Sequence, residues 1–303
     1  MKTFYINKPY CINKRRRKII NKKIVLLRSI IYVIIIILLL TSFTTSCGLK
    51  IKKNITINNN PNIQSFENEN TLLVGGSGPG NYSTIQDAIN DANPGDTVFV
   101  YKYSSPYYEN ILINKSIKLI GETNRYPVIC GQNLSQVITV ESFLVLIMGF
   151  KIMHGLDGVW LKTYSYNCTV TDNIICKNFM WGVNIYGAIT QLETCHLIFG
   201  NTIENNGNQN IVSGGVYIAL SFSNLITNNN FYNNTFHGFF FLSIKNKWNQ
   251  NYWDTGRILP YPIMGILSIV PQVFWLNFDF NPRLKPYQKK DEKFSFNNNI
   301  LIR

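Results

Sequence analysis

Apolar and polar positions alternate in short runs from residue 71 onward, and three of those runs superpose at a spacing of 28 residues. They are Val170-Thr171-Asp172-Asn173-Ile174-Ile175, Ile198-Phe199-Gly200-Asn201-Thr202-Ile203 and Ile226-Thr227-Asn228-Asn229-Asn230-Phe231. Asn173, Asn201 and Asn229 fall in register, as do Ile175, Ile203 and Phe231. A fixed period of tens of residues marks a repeat architecture. Period-two alternation of β-branched and aromatic residues marks its elements as strands. The pattern predicts an all-β chain, a right-handed parallel β-helix with about three short strands per coil and roughly six or seven coils stacked ~4.8 Å apart. Asn173, Asn201 and Asn229 then form a structural ladder whose amides bond from coil to coil.

A second pattern, Gly-Val-x-apolar, recurs at Gly158-Val159-Trp160-Leu161, Gly182-Val183-Asn184-Ile185 and Gly215-Val216-Tyr217-Ile218, with Gly238-Phe239-Phe240-Phe241 as a degenerate last copy. Thr71–Val74 reads as an opening strand and Thr97–Tyr101 as the first strand of the solenoid. Between them one helix is predicted over residues 83–93. It carries a Ser83/Gln86 capping box and an apolar stripe of Ile85, Ala88 and Ile89, and it ends at Asn93-Pro94-Gly95-Asp96. A solenoid leaves an open hydrophobic end, and this helix is expected to lie across it. The glycines from Gly75 to Gly80 lack the Gly-Lys-Ser/Thr ending of a phosphate loop.

The N-terminal segment reads as an export signal. Residues 1–47 hold ten Lys and Arg and no acid, so the net charge of +13 falls to +3 once they are set aside. That removes the case for a nucleic-acid footprint. A basic stretch, the unbroken apolar run Ile30–Leu40 and small residues up to Gly48 make a secretory leader. Read back to Ile24, the same stretch approaches a membrane span, so residues 24–43 serve either as a cleaved signal or as an anchor. Both versions export the rest to the cell envelope or beyond, basic end inside. Six sequons, at Asn54, Asn81, Asn114, Asn133, Asn167 and Asn233, agree with export. The division expected is 1–47 leader or anchor, 48–70 Asn-rich linker, 71–254 β-helix with its helical cap, 255–287 an irregular Pro/aromatic flap over the far end, and 288–303 a disordered tail. Pro260, Pro262 and Pro271 argue against a second helical span over Ile258–Leu276.

Several segments resemble exported right-handed β-helix proteins. They are Gly80-Asn81-Tyr82-Ser83-Thr84-Ile85-Gln86-Asp87-Ala88-Ile89 continuing to Val98, Tyr107-Tyr108-Glu109-Asn110, and Lys115-Ser116-Ile117-Lys118-Leu119-Ile120-Gly121. Asn251-Tyr252-Trp253-Asp254 and Asn277-Phe278-Asp279-Phe280-Asn281-Pro282 resemble the closing segments of archaeal members. Over residues 71–287 the repeats are similar to the NosD-type, "periplasmic copper-binding" β-helix domain of the pectin-lyase-like fold. The resemblance implies the fold, and it implies no catalytic residue, because no motif of the pectin-cleaving members is present.

Three kinds of chemistry are weighed. Polysaccharide cleavage would need paired carboxylates, or calcium with a basic residue. Few acids lie in the coils, and Asp157 and Asp172 are the only candidates worth naming; loop solvation is the plainer reading. Copper would need soft ligands, and the register places Cys168 beside His196 and next to Cys195. The alternatives there are free structural thiols or a Cys168–Cys195 bond. No cofactor is expected otherwise. Glycan binding would use outward aromatics, whose faces stack on sugar rings; Tyr103, Tyr107, Tyr108, Trp160, Tyr164, Trp181 and Tyr186 are the candidates, and wall filling is the alternative. The expected function is an exported, non-enzymatic surface protein that binds an extended ligand such as a glycan or another envelope protein. A polysaccharide lyase or hydrolase is the runner-up, and copper delivery comes third.

Overall fold

A computed structural model describes residues 69–303 apart from 123, 124, 134, 189–192, 270, 271, 289–294, 298, 299 and 303. The expected leader, anchor and most of the linker, with Asn54, lie outside the described residues. The chain divides into two compact units, Met1–Lys50 with Ser268–Val273, and Ile51–Leu267 with Phe274–Arg303. The second is a parallel β-solenoid of about eight turns with one short helix.

Each full coil lays one strand on each of three faces. The first face stacks Thr71–Val74, Thr97–Val100, Lys118–Gly121, Leu146–Met148, Thr169–Thr171, Leu197–Phe199, Leu225–Thr227 and Lys247–Asn249. The second stacks Val128–Cys130, Lys151–Met153, Ile174–Cys176, Thr202–Glu204, Asn230–Tyr232 and Tyr252–Trp253. The third stacks Ile111–Ile113, Ile138–Val140, Val159–Leu161, Trp181–Tyr186, Gly214–Ala219 and Phe236–Phe241. Register follows the sequence period: Val170 pairs with Ile198 and Ile198 with Ile226 on the first face, and Ile175 with Ile203 and Ile203 with Phe231 on the second. These side chains are fully buried. Each contributes roughly 1.5–3 kcal/mol by leaving water, and because strands alternate, one polar residue per pair is left facing out.

The coil count exceeds the six or seven expected because Thr71–Val74 is already a rung, in register with Thr97–Val100, and Lys247–Asn249 adds another. The corner between the first and second faces needs a left-handed residue in every coil. Asp172, Gly200, Asn228 and Gln250 take it, with φ of 54°, 64°, 56° and 55°; Gly, Asn and Asp tolerate that region best.

The next residue in each of these corners is a ladder asparagine. Asn173 Nδ2 donates to Asn201 Oδ1 at 3.1 Å, Asn201 to Asn229 at 3.0 Å and Asn229 to Asn251 at 3.1 Å. The backbone N–H of each donates to the same oxygen. Asp279 closes the series, its Oδ2 accepting from Asn251 N, Asn251 Nδ2 and Trp253 Nε1. Two further ladders run up the other corners: Asn178, Asn206 and Asn234 between the second and third faces, and His196, Asn224 and Asn246 between the third and first.

The helix spans Ile85–Asp91 and buries Ile85, Ala88 and Ile89. Its N-cap is Thr84, which accepts from Asp87 N, so the Ser83/Gln86 box is displaced by one residue. Gln86 has a different task. Its side-chain amide accepts from Leu112 N at 2.8 Å and donates to Leu112 O at 3.3 Å. Leu112 lies in the terminal strand of the sheet, so one side chain imitates the missing neighbour. Lys115 Nζ donates to three carbonyls at the helix end, those of Ile89, Asn90 and Ala92.

The flap expected over 255–287 is not irregular. Tyr261–Ile269 and Gln272–Asp279 are adjacent strands that continue the large sheet. Pro262 is tolerated because it precedes the first residue paired to the third face, Met264. The segment after Asp279 runs back over the solenoid: Tyr287 exchanges two backbone hydrogen bonds with the Asn230 side chain and packs on Phe199. The tail is not wholly without structure either, since Ser295–Asn297 pairs antiparallel with Ile300–Ile302, both β-prone segments.

Candidate functional site

The outward position of the third face is the x of the Gly-Val-x-apolar pattern. Strand register brings Leu112, Thr139, Trp160, Asn184, Tyr217, Phe239 and Met264 into one column. The glycine of the pattern is required by close approach. A Cβ on Gly158 would lie 2.6 Å from Gly182 O and 2.8 Å from Asn178 Nδ2, so coils touch here and the ladder passes directly beneath. The last copy is out of register: Gly238 pairs with Val216, not with Gly215. A Cβ there would meet the Trp248 ring at 2.8 Å, so the bulk of Trp248 fills the space a valine would need.

Beside this column lies Asp157, 3% exposed. It accepts from Trp181 N at 3.0 Å and from Asn184 Nδ2 at 3.0 Å. Burial pushes its carboxyl above the ordinary range, and the bonds from Asn184, Trp181 and Gln136 oppose the rise. The bond to Asp157 fixes the orientation of the Asn184 amide, and Asn184 Oδ1 is then left buried without a partner. Trp160 Nε1, one coil away, is likewise buried and unpartnered. Lys162 lies over the Trp160 ring, 5.0 Å from its centroid, and pairs with Glu141. An orphan acceptor and an orphan donor on neighbouring coils each carry a desolvation cost of about 1–3 kcal/mol.

The aromatic candidates separate. Trp160 belongs to the column. Trp181 is buried and stacks on Tyr217 at 5.0 Å and 13°, and Tyr217 continues to Phe239 at 6.3 Å and 29°. These rings spend their faces on one another, so Trp181 is not the open platform expected. Tyr107 is buried and donates to Tyr101 O, a structural role. Tyr186 is exposed beside the column, and Tyr164 is exposed in the turn that follows Val159–Leu161. Tyr103 and Tyr108 are exposed on the segment joining Thr97–Val100 to Ile111–Ile113, away from the column. Asn184, Tyr217 and Phe239 were not among the candidates, although the x position of the pattern already put Trp160, Asn184 and Tyr217 together.

Asp157 and Asp172 are not partners. Asp172 sits at the left-handed corner position and accepts from Tyr126 OH at 3.0 Å. Cys168 and His196 do meet, but as structure. Cys168 N donates to His196 Nδ1 at 3.2 Å, and the Cys168 thiol faces the Ser142 and Tyr166 carbonyls, its pKa pushed by burial to about 12. Burial lowers His196 to about 3. Cys195 is disulfide-bonded, while Cys130, Cys168 and Cys176 are free. A Cys168–Cys195 bond is therefore not made, and the three residues do not present two thiolates and an imidazole to a soft metal. Among the described residues no group of three His, Cys, Asp or Glu is placed to hold a metal ion. No helix among them is long and apolar enough to cross a membrane.

No protein-family signature matches the chain. It is 33% identical over 107 residues to a cell surface glycoprotein of Methanothermus fervidus, a stretch covering 35% of this chain and 18% of that relative. Among solved structures, an alginate lyase of Paenibacillus sp. superposes with a TM-score of 0.44 at 14% identity, covering 60% of this chain and 67% of the other. The pectin methylesterase PemA of Erwinia chrysanthemi superposes with a TM-score of 0.37 at 13% identity, covering 64% and 73%.

Proposed function

We propose that this chain is a cell-surface β-solenoid that binds an extended polyhydroxylated ligand, a glycan, along its third face. The observation that carries the reading is the pair of orphan groups, Trp160 Nε1 as donor and Asn184 Oδ1 as acceptor, on adjacent coils beside the Asp157 carboxylate. A sugar hydroxyl donates and accepts at once, so it satisfies both. Because the faces of Tyr217 and Phe239 are spent on stacking, recognition runs through hydrogen bonds, with Tyr186 at the margin. Lys162 must swing aside to admit the ligand, which a long side chain on the surface does at small cost. The likeness to a cell surface glycoprotein supports placement at the cell surface.

The full chain screened on a glycan array and then titrated calorimetrically tests this. Trp160→Phe removes the donor and keeps the ring; a loss of tenfold or more in affinity is expected, and unchanged affinity refutes the site. The burial of Asp157 favours one second reading, a polysaccharide-active enzyme in which that carboxyl, its pKa raised by burial, acts as a general acid. New reducing ends or unsaturated products from polygalacturonate or alginate, with or without calcium, that vanish in Asp157→Asn would establish it.

A further inference from the structure

The strand Gln272–Asp279 breaks the alternation that governs the rest of the molecule. Phe274, Trp275 and Leu276 are consecutive, and they are 71%, 57% and 45% exposed. Successive residues of a strand point to opposite sides, so both faces of this stretch are bare. Ile258, Leu259 and Phe280 extend the exposed apolar surface. No charged residue occurs between Arg257 and Asp279. Pairing to the third face ends at Ile266, and pairing to the first face is made only at Asp279. An ordinary solvated edge carries charges to blunt it. Here two-sided apolar exposure continues through a segment without a charge, and apolar surface of that kind marks an interaction site.

We infer that the exposed stretch Phe274–Leu276 docks on a lipid bilayer, its three side chains entering the headgroup–acyl boundary. A protein partner would cover one face of a strand, whereas a lipid phase accommodates both. Trp and Tyr concentrate at that boundary. Exposed Arg257 and Lys285 flank this stretch and complement anionic headgroups. The prolines that argue against a helical span over this stretch do not oppose a hairpin that enters only the interface.

Tryptophan quenching by brominated acyl chains tests the inference on the full chain in anionic vesicles. All five tryptophans lie in the solenoid and hairpin and none in residues 24–43, so an inserted anchor contributes no signal. The expected result is quenching of the emission that Trp275 supplies, lost in Trp275→Phe and weakened in Phe274→Glu/Leu276→Glu or at high salt. Trp275→Phe retains an aromatic side chain, and an unchanged circular dichroism spectrum certifies its fold. Quenching that is absent, or that persists in Trp275→Phe, overturns the inference. Protection of Trp275 without lipid, tracking self-association in sedimentation, assigns the surface to a second copy and overturns it too.

Discussion

His196 stands over Cys168 of the preceding coil, its Nδ1 accepting the Cys168 N–H at 3.2 Å while its backbone N–H donates to Asn224 Oδ1 at 2.9 Å. The imidazole occupies an asparagine's place in a ladder and must be neutral to accept. Burial holds its pKa at about 3, against 6.5 in the unfolded chain. Between those values the unfolded state binds the extra proton, so stability is full above pH 6.5 and falls as pH drops through the window. At pH 5 the loss is about 2 kcal/mol. Denaturant melts of the wild type and His196→Asn should diverge by that amount between pH 7 and pH 5. Parallel pH profiles would show that His196 is not the source.

Asn201 is the middle rung of its ladder. Asn201→Leu leaves Asn173 N and Nδ2 without their shared acceptor and removes the side-chain donor to Asn229. A loss of about 1–3 kcal/mol is expected, read as a lower denaturation midpoint with an unchanged slope. A midpoint equal to the wild type's would mean the ladder is not stabilising.

Gly158 is where one coil comes closest to the next. Gly158→Ala drives a methyl against Gly182 O and Ile175 Cγ2, both at 2.6 Å, and neither backbone nor β-branched core yields readily. The cost expected is about 1–3 kcal/mol, with the Trp160 column displaced. The control is Gly80→Ala, since Gly80 has open space around its Cβ but a φ of 82°, so it reports backbone strain without the clash.

Gln86→Val withdraws both hydrogen bonds that close the Leu112 edge. The helix keeps its apolar stripe, so the domain stays folded while the first strand of the third face becomes available for pairing. Concentration-dependent association in sedimentation is the expected readout. A strictly monomeric variant would show that helix packing alone guards the edge.

Much of this architecture was legible because the physics is periodic. The 28-residue spacing sets the register on two faces and the Asn173–Asn201–Asn229 ladder directly. The same spacing separates Asn178 from Asn206 and Asn206 from Asn234, yet in a chain rich in asparagine these did not stand out from the background. The helix was legible, but its cap was not: Ser83 and Thr84 are adjacent equivalents, and Gln86 was drawn away by the Leu112 edge, a tertiary demand no local rule contains. The hairpin was hidden by its prolines, which argue against strands until the first paired residue is known. The site was half legible. Trp160 was found by type, but whether a ring's face is free or stacked depends on the neighbouring coil, as Trp181 and Tyr217 illustrate.

The ladder that ends at Asp279 has a direction. Every side-chain amide in it points its nitrogen toward the C-terminal end and its oxygen toward the N-terminal end, so the small dipoles add head to tail like those of a helix. The positive end meets a carboxylate. An asparagine passes the chain of bonds onward because it both gives and takes, whereas an ionised aspartate only takes. Asp279 is therefore a terminator written in hydrogen-bonding capacity. Coils duplicated between Asn173 and Asn251 would be read through and lengthen the rod, while an aspartate introduced earlier would stop the count at that coil.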